Sequence, residues 1–305
     1  MFKVCTGERI LEDIVQNAYS FLISQNFCFI LCVKMEKIEL IDVWKSFGGE
    51  PVLKGVNISL KEGETLVVIG RSGCGKSVMI KHMVGLHKPD RGEIYIDGED
   101  ITNLRERELF EVRKKFGFLF QSSALLDSLT VGENVGLGLT ERSTNSHEVI
   151  RSIVKEKLAM VGMAGTENYM PADLSGGMKK RVGLARAIAM EPEIVLYDEP
   201  TTGLDPIMAD SINELIIALK NELNITSVVV THEMTSARKV GDRIAMLYDG
   251  EIIFSGTVPE LDATDNPVVR QFVEGHAEGP IKPAFKQSTD QLKPQDKLQK
   301  MDRSK

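Results

Sequence analysis

The sequence predicts an α/β fold in which a buried, mostly parallel sheet is joined by an antiparallel β portion and a helical portion. Three observations carry that reading. Short continuous apolar runs, Thr65 to Ile69 (TLVVI), Ile194 to Tyr197 (IVLY) and Ser227 to Val230 (SVVV), recur along the chain. Such runs suit strands covered on both faces of a parallel sheet. Two Asp-Gly pairs, Asp97-Gly98 and Asp249-Gly250, stand between apolar stretches and signal hairpins, hence antiparallel pairing. Residues 122–190 contain no comparable run and read as mostly helical.

A chain of 305 residues can bury a core without disulfides or metals to hold it. Acidic side chains number 44 against 37 basic ones, a net charge of −7. That balance argues against a protein that coats nucleic acid, which needs a basic face. A hydrophobic share of 42% fits a globular protein and excludes both a polytopic membrane protein and a disordered one. The four cysteines, Cys5, Cys28, Cys32 and Cys74, are too few and too uneven for a disulfide scaffold, and they read as free thiols.

Residues 1–34 differ in pattern from the rest of the chain and are read as a leader with no assigned role. Their apolar run, Phe21 to Val33, is interrupted by Ser24, Gln25 and Asn26 and falls short of the roughly 20 residues a spanning helix needs. A regular pattern opens at Met35, and residues 35–275 are read as one domain whose helical subdomain covers about 122–190. From His276 to Lys305 the chain is rich in Lys, Gln, Asp and Pro, a composition that does not offset the entropy of ordering, so the tail is expected to be flexible.

Gly70-Arg71-Ser72-Gly73-Cys74-Gly75-Lys76-Ser77 fits G-x-x-x-x-G-K-[ST], directly after a strand and before a helical stretch with Ile80, Met83 and Val84 on one face. Glycines let several backbone N–H groups converge on phosphate oxygens, and the helix N-terminus adds its positive end. Lys76 would reach the β- and γ-phosphates and Ser77 would ligate Mg²⁺. Cys74, beside Lys76 and a helix start, is expected to favour the thiolate.

The strand IVLY runs into Asp198-Glu199. Two unpaired charges at a buried strand end are expensive, and a bound Mg²⁺ would balance them. Asp198 would hold the metal through water while Glu199 polarises the attacking water. His232 follows the third apolar strand. Such a histidine is either structural or a γ-phosphate contact. Gln121, after Phe118-Leu119-Phe120, offers an amide to metal and water at a further strand end.

Leu174-Ser175-Gly176-Gly177-Met178 precedes a helix with Val182, Ala185 and Ala189 on one face. Ser175 is a good N-cap and the glycines leave N–H groups open, a second anion site. With one cradle and two such helix ends, the arrangement makes sense if two copies meet head to tail around each nucleotide. Lys179, Lys180 and Arg181 are read as the solvated face of that helix.

At these residues the sequence resembles the ATP-binding cassette (ABC) ATPases, over about residues 37–275. The resemblance implies a P-loop ABC ATPase fold with a mixed RecA-like core, an antiparallel β subdomain and a helical signature subdomain. It implies Glu199 as catalytic base, His232 as switch histidine and Gln121 as a further participant and metal ligand. Gly70 to Val78, Ser175, Gly176, Gly177 and Asp205 would contact nucleotide. Ser77, Gln121 and Asp198 would hold Mg²⁺. Phe47 would stack under adenine, with Trp44 the second choice; either residue could instead be core.

Met178 stands where most of the family has Gln, and Val78 where Thr is common, but neither change removes a ligand. LSGGMKKR, TTGLDP and the stretch from Arg270 to Gly275 resemble the ATPase subunits of bacterial MCE-type phospholipid transporters, the Mla family. That implies a homodimer on the cytoplasmic side of the inner membrane, bound to permease subunits and an MCE-domain protein. The segment Leu125 to Val131 would receive the permease. Two alternatives stand beside this: the ATPase of a small-solute importer, and a soluble non-transport ABC ATPase.

Overall fold

The computed structural model describes residues 36–142 and 144–282. The leader 1–34, its three cysteines and the tail beyond residue 282 lie outside the described residues. The chain divides into two units, up to Val258 and from Pro259 onward.

The first unit is built on two sheets. Strands β1 (Glu36–Phe47), β2 (Glu50–Lys61), β4 (Arg91–Ile96) and β5 (Glu99–Asp100) form an antiparallel sheet in the order β2-β1-β4-β5. The second sheet has the order β10-β9-β3-β8-β7-β6. It contains β3 (Thr65–Ile69), β6 (Phe116–Leu119), β7 (Ile194–Asp198), β8 (Thr226–Thr231), β9 (Arg243–Tyr248) and β10 (Glu251–Gly256). Five of these run parallel and β10 closes the edge antiparallel. Every residue of β3, β7 and β8 is buried, as unbroken apolar runs in a doubly covered sheet require.

Both Asp-Gly pairs turn hairpins. Asp97 and Asp249 have φ of 52° and 50°, and the following glycines are also positive, at 76° and 85°, the two-residue geometry that Asp-Gly supports. The long β1–β2 hairpin turns on Gly48-Gly49, with φ of 60° and 87°, a third pair of the same turn class that the sequence reading did not use. Its alternation is broken by register shifts around Ile41 and Asp42, and Asp42 itself has φ 48°.

Helix α1 (Lys76–Met83) leaves the end of β3, and α2 (Glu106–Arg113) precedes β6. The stretch after β6 holds α3 (Val131–Arg142), α4 (His147–Met160), a 3₁₀ turn (Pro171–Asp173) and α5 (Gly176–Ile188), with no strand among its described residues. Ser175 caps α5 by accepting from Met178 N, and α5 lies close on β6: a Cβ at Gly117 would stand 2.2 Å from the Ala187 carbonyl oxygen. Helix α6 (Pro206–Leu223) starts on an Asp205 cap with Pro at its first position and stops at left-handed Asn224, the residue types that begin and end helices. Helix α7 (Met234–Val240) comes after β8.

One cluster joins the two sheets. Leu40, Val43, Leu53, Leu60, Leu66, Val68, Ile80, Leu196, Val228 and Leu247 lie in it, all almost fully buried. Each such side chain contributes about 1.5–3 kcal/mol by leaving water. The second unit carries most of α8 (Val258–Ala263) and α9 (Pro267–Glu274). Asn266 caps α9, and Gln271 bonds His276 O and Ile281 within the same unit.

Candidate functional site

Register places the site. Ile69 pairs with Thr231, and Asp198 with Val230, so β3, β7 and β8 end level with one another. The segments leaving those strand ends, which open at Gly70, Glu199 and His232, therefore meet at the carboxyl edge of the sheet, where open α/β sheets place their ligands. Gln121 comes two residues after β6, whose Leu119 pairs with Tyr197.

The Gly70–Ser77 loop wraps this edge. Gly70 has φ 154°, and a Cβ there would meet the Leu247 carbonyl oxygen at 2.3 Å, so β9 excludes any side chain. Gly73 and Gly75 have φ of 81° and 105°. Lys76 is buried, and its Nζ donates to Gly70 O at 2.8 Å and Arg71 O at 3.1 Å. It also stands 3.6 Å from Glu199 Oε1. Ser77 Oγ donates to Asp198 Oδ1 at 2.9 Å. Burial holds the Asp198 carboxyl above its ordinary value, with the Ser77 hydrogen bond opposing the shift.

Glu199 sits just past β7 in a left-handed conformation, φ 50°. Its N–H donates to Val230 O. Its Oε2 accepts from Thr202 Oγ1 at 2.9 Å and lies 2.8 Å from His232 Nδ1. A cleft of about 340 Å³ opens between these groups, lined by Val52, Ser72, Gly73, Gly75, Lys76, Ser77, Val78, Gln121 and Glu199. That volume lies within the roughly 300–1,000 Å³ range of small-molecule sites.

The donor set fits a hard divalent cation. Hydroxyl, carboxylate and amide oxygens at Ser77, Asp198 and Gln121 are the class that Mg²⁺ accepts. Among the described residues no three His, Cys, Asp or Glu converge as a protein-only cage. Mg²⁺ needs none, because it completes its shell with phosphate and water.

The remaining predicted residues fall elsewhere. Ser175 and Gly176 are exposed at the start of α5 and do not line the cleft. Gly177 is buried, and a Cβ there would press on the Met208 methyl. Asp205 uses its carboxylate on Ile207 N and Met208 N. Phe47 is exposed, edge-on to His87 at 5.5 Å and 5.6 Å from Lys45 Nζ. It pairs with Glu50, two residues before the cleft residue Val52. Trp44 is half-exposed and donates to Asp42 Oδ1. Neither aromatic is core.

Two expectations are corrected. Burial pushes the Cys74 thiol up, outweighing Lys76 and the local N–H groups that favour the thiolate. Within the KKR run, Lys180 and Arg181 do not form a solvated face. Lys180 is buried and donates to Gln121 O at 2.5 Å and Glu199 O at 3.1 Å, while Arg181 bonds Val161 O and Ser211 Oγ. Periodicity assigns a charged side chain outward, but α5 is enclosed on several sides. Sequence reading also missed Thr202, whose hydroxyl holds Glu199. The one available signal was its spacing, three residues on, within reach across a turn.

A family model described as ABC transporter matches residues 53–202. A protein of Mycobacterium tuberculosis named as a probable ribonucleotide transport ATP-binding protein, mkl, is 42% identical over 244 residues, covering 80% of this chain and 68% of that one. The intermembrane phospholipid transport ATP-binding protein MlaF of Haemophilus influenzae is 38% identical over 245 residues, covering 80% and 93%. The chain belongs to the ABC transporter family. An ABC cassette solved as a dimer in a post-hydrolysis state, bound to ADP and Pi, is 40% identical with a TM-score of 0.68, covering 72% of this chain and 98% of that one. The ABC ATPase fold class therefore holds, and the subunit is one that binds and hydrolyses ATP. No helix of the described residues is long and apolar enough to cross a membrane.

Proposed function

We propose that this ABC subunit hydrolyses Mg²⁺-bound ATP to drive phospholipid movement through a separate permease, as a homodimer on the cytoplasmic face of a bacterial inner membrane. The observation that carries the chemistry is the meeting of Lys76, Ser77, Asp198, Glu199 and His232 at one sheet edge. The likeness to MlaF over nearly all of that protein's length supports the lipid substrate.

In this reading Lys76 exchanges its two loop carbonyls for phosphate oxygens, a stronger charge-assisted partner. Backbone N–H groups of Gly73 to Ser77 and the α1 N-terminus hold the same oxygens. Ser77, Asp198 and Gln121 would hold Mg²⁺, whose charge would offset that of the phosphates. Glu199 accepts the proton of the attacking water. His232, fixed by Glu199 through Nδ1, offers Nε2 to the γ-phosphate. Val78 seats the cradle, and Phe47 gives adenine a face. Ser175, Gly176 and Gly177 of a second copy close over the triphosphate, and its Asp205 joins the two sites.

The permease and an MCE-type lipid-binding protein complete the complex. Lipid identification in the affinity-purified assembly tests the substrate. Co-purifying phospholipid supports it, and an assembly that instead stimulates hydrolysis with a small solute and carries no lipid contradicts it. A ribonucleotide or other small-solute reading is the rival, since mkl bears that name at comparable identity.

A further inference from the structure

Lys180 is 5% exposed, in the second turn of a helix whose start is read as binding the partner's nucleotide. Burying an ammonium is expensive unless strong acceptors surround it. Here both acceptors are main-chain carbonyls, those of Gln121 and Glu199. Both residues line the cleft. Burial pushes the Lys180 ammonium below the ordinary lysine value, and the fields of Glu199, Asp198 and Glu233 oppose that shift.

The two carbonyls differ in what they fix. Glu199 is held left-handed, φ 50°, a conformation that costs a residue with a side chain free energy and persists only where its surroundings impose it. Its N–H is taken by Val230 O, its carboxylate by Thr202 and His232, and its carbonyl by Lys180 Nζ at 3.1 Å and, at 3.3 Å, by the Thr202 N–H. On the other side, Arg186 of the same helix donates to Ser123 O at 2.5 Å and Ala124 O at 2.7 Å. Ser123 and Ala124 are also left-handed, with φ of 61° and 44°. Helix α5 thus grips the segment after β6 at three carbonyls and the end of β7 at one, and Lys180 is the residue common to both.

We propose that Lys180 is a positioning residue for ATP hydrolysis: its ammonium fixes the left-handed turn at Glu199 and ties it to Gln121, so that α5 moves both side chains together. The proposal rests on the reading of Glu199 as base. A displacement of α5 within the helical part then changes the aim of the base, while the bonds of Lys180 itself go to Gln121 and Glu199 and not to the phosphate cradle.

The test is steady-state ATPase and equilibrium ATP binding on the full chain for Lys180→Met and Lys180→Arg, with Glu199→Gln in parallel. Misplacing a catalytic group by about 1 Å costs up to about 100-fold, so Lys180→Met should lose about tenfold or more in kcat. Its ATP Kd should stay within about threefold, and Lys180→Arg, which keeps charge and donors, should recover most of the rate. If Lys180→Met does not fold, Lys180→Gln, which keeps an N–H donor group without the charge, is judged by the same split. Near-parental kcat in the apolar variant while Glu199→Gln is inactive overturns the role of Lys180 alone. ATP affinity falling in step with kcat overturns it as well, since that is the mark of general damage. A turnover-competent Glu199→Gln removes the base assignment and the proposal with it.

Discussion

The Oε2 atom of Glu199 lies 2.8 Å from Nδ1 of His232, across the ends of the neighbouring strands β7 and β8. The same oxygen accepts the Thr202 hydroxyl, so one carboxylate orients an imidazole while being oriented itself. The second oxygen faces Lys76 at 3.6 Å. A carboxylate held from both sides, as the proposed base is, loses little entropy when the reaction needs it in place.

Glu199→Gln should therefore lower kcat by about 10²–10⁴-fold, the usual contribution of a positioned base, with ATP binding retained. His232→Ala should also cost rate and leave the ATP Kd within a small factor. Single-turnover hydrolysis alongside equilibrium binding separates these effects. Loss of binding in both variants would place the pair in nucleotide retention instead.

Asp198 gives a pH-dependent prediction. Its folded-state value is raised above its ordinary 3.8 by burial, so the folded chain holds a proton that the unfolded chain has released. Stability then falls as pH climbs from about 3.8 through the raised value and stays reduced at neutral pH. Asp198→Asn should thus raise the Tm of the metal-free protein at pH 7 while abolishing Mg²⁺-dependent turnover. Melting in EDTA at pH 7 and again near pH 3 checks the sign, because the gain should vanish at the lower pH. A lower Tm at pH 7 would contradict it.

Cys74 should alkylate slowly. Its thiol is pushed up by burial, and the thiolate is the reactive form. Peptide mapping after iodoacetamide at pH 7.5 should find Cys74 less modified than a free-cysteine standard, with the rate rising as pH increases. Rapid labelling at pH 7 would restore the expectation of an activated thiol.

Gly117→Ala should destabilise the fold by about 1–3 kcal/mol, since its Cβ would stand 2.2 Å from the Ala187 carbonyl. Urea unfolding measures the change. An unchanged midpoint would mean that α5 can lift off β6 freely.

Much of this was legible in the residues. Apolar runs located β3, β7 and β8 because both faces of those strands are covered. The Asp-Gly pairs marked two hairpins because few other dipeptides tolerate two positive φ values. The cradle was legible because its loop needs glycines at fixed places.

The features that escaped were set by tertiary enclosure. The bulge at Asp42 erased the alternation of β1, and no local rule reveals that Lys180 points inward or that Cys74 is desolvated. Ser175 was located as a helix cap, which the structure bears out.

In the proposed homodimer each ATP is enclosed by the cradle of one subunit and the Ser175 turn of another. The most direct measurement is the solution mass of Glu199→Gln with saturating ATP and Mg²⁺, by light scattering, with and without Ser175→Arg. The expected result is the mass of two chains, reverting to one when Ser175 is replaced. A single-chain mass carrying one tightly held ATP, unaffected by Ser175→Arg, would contradict it.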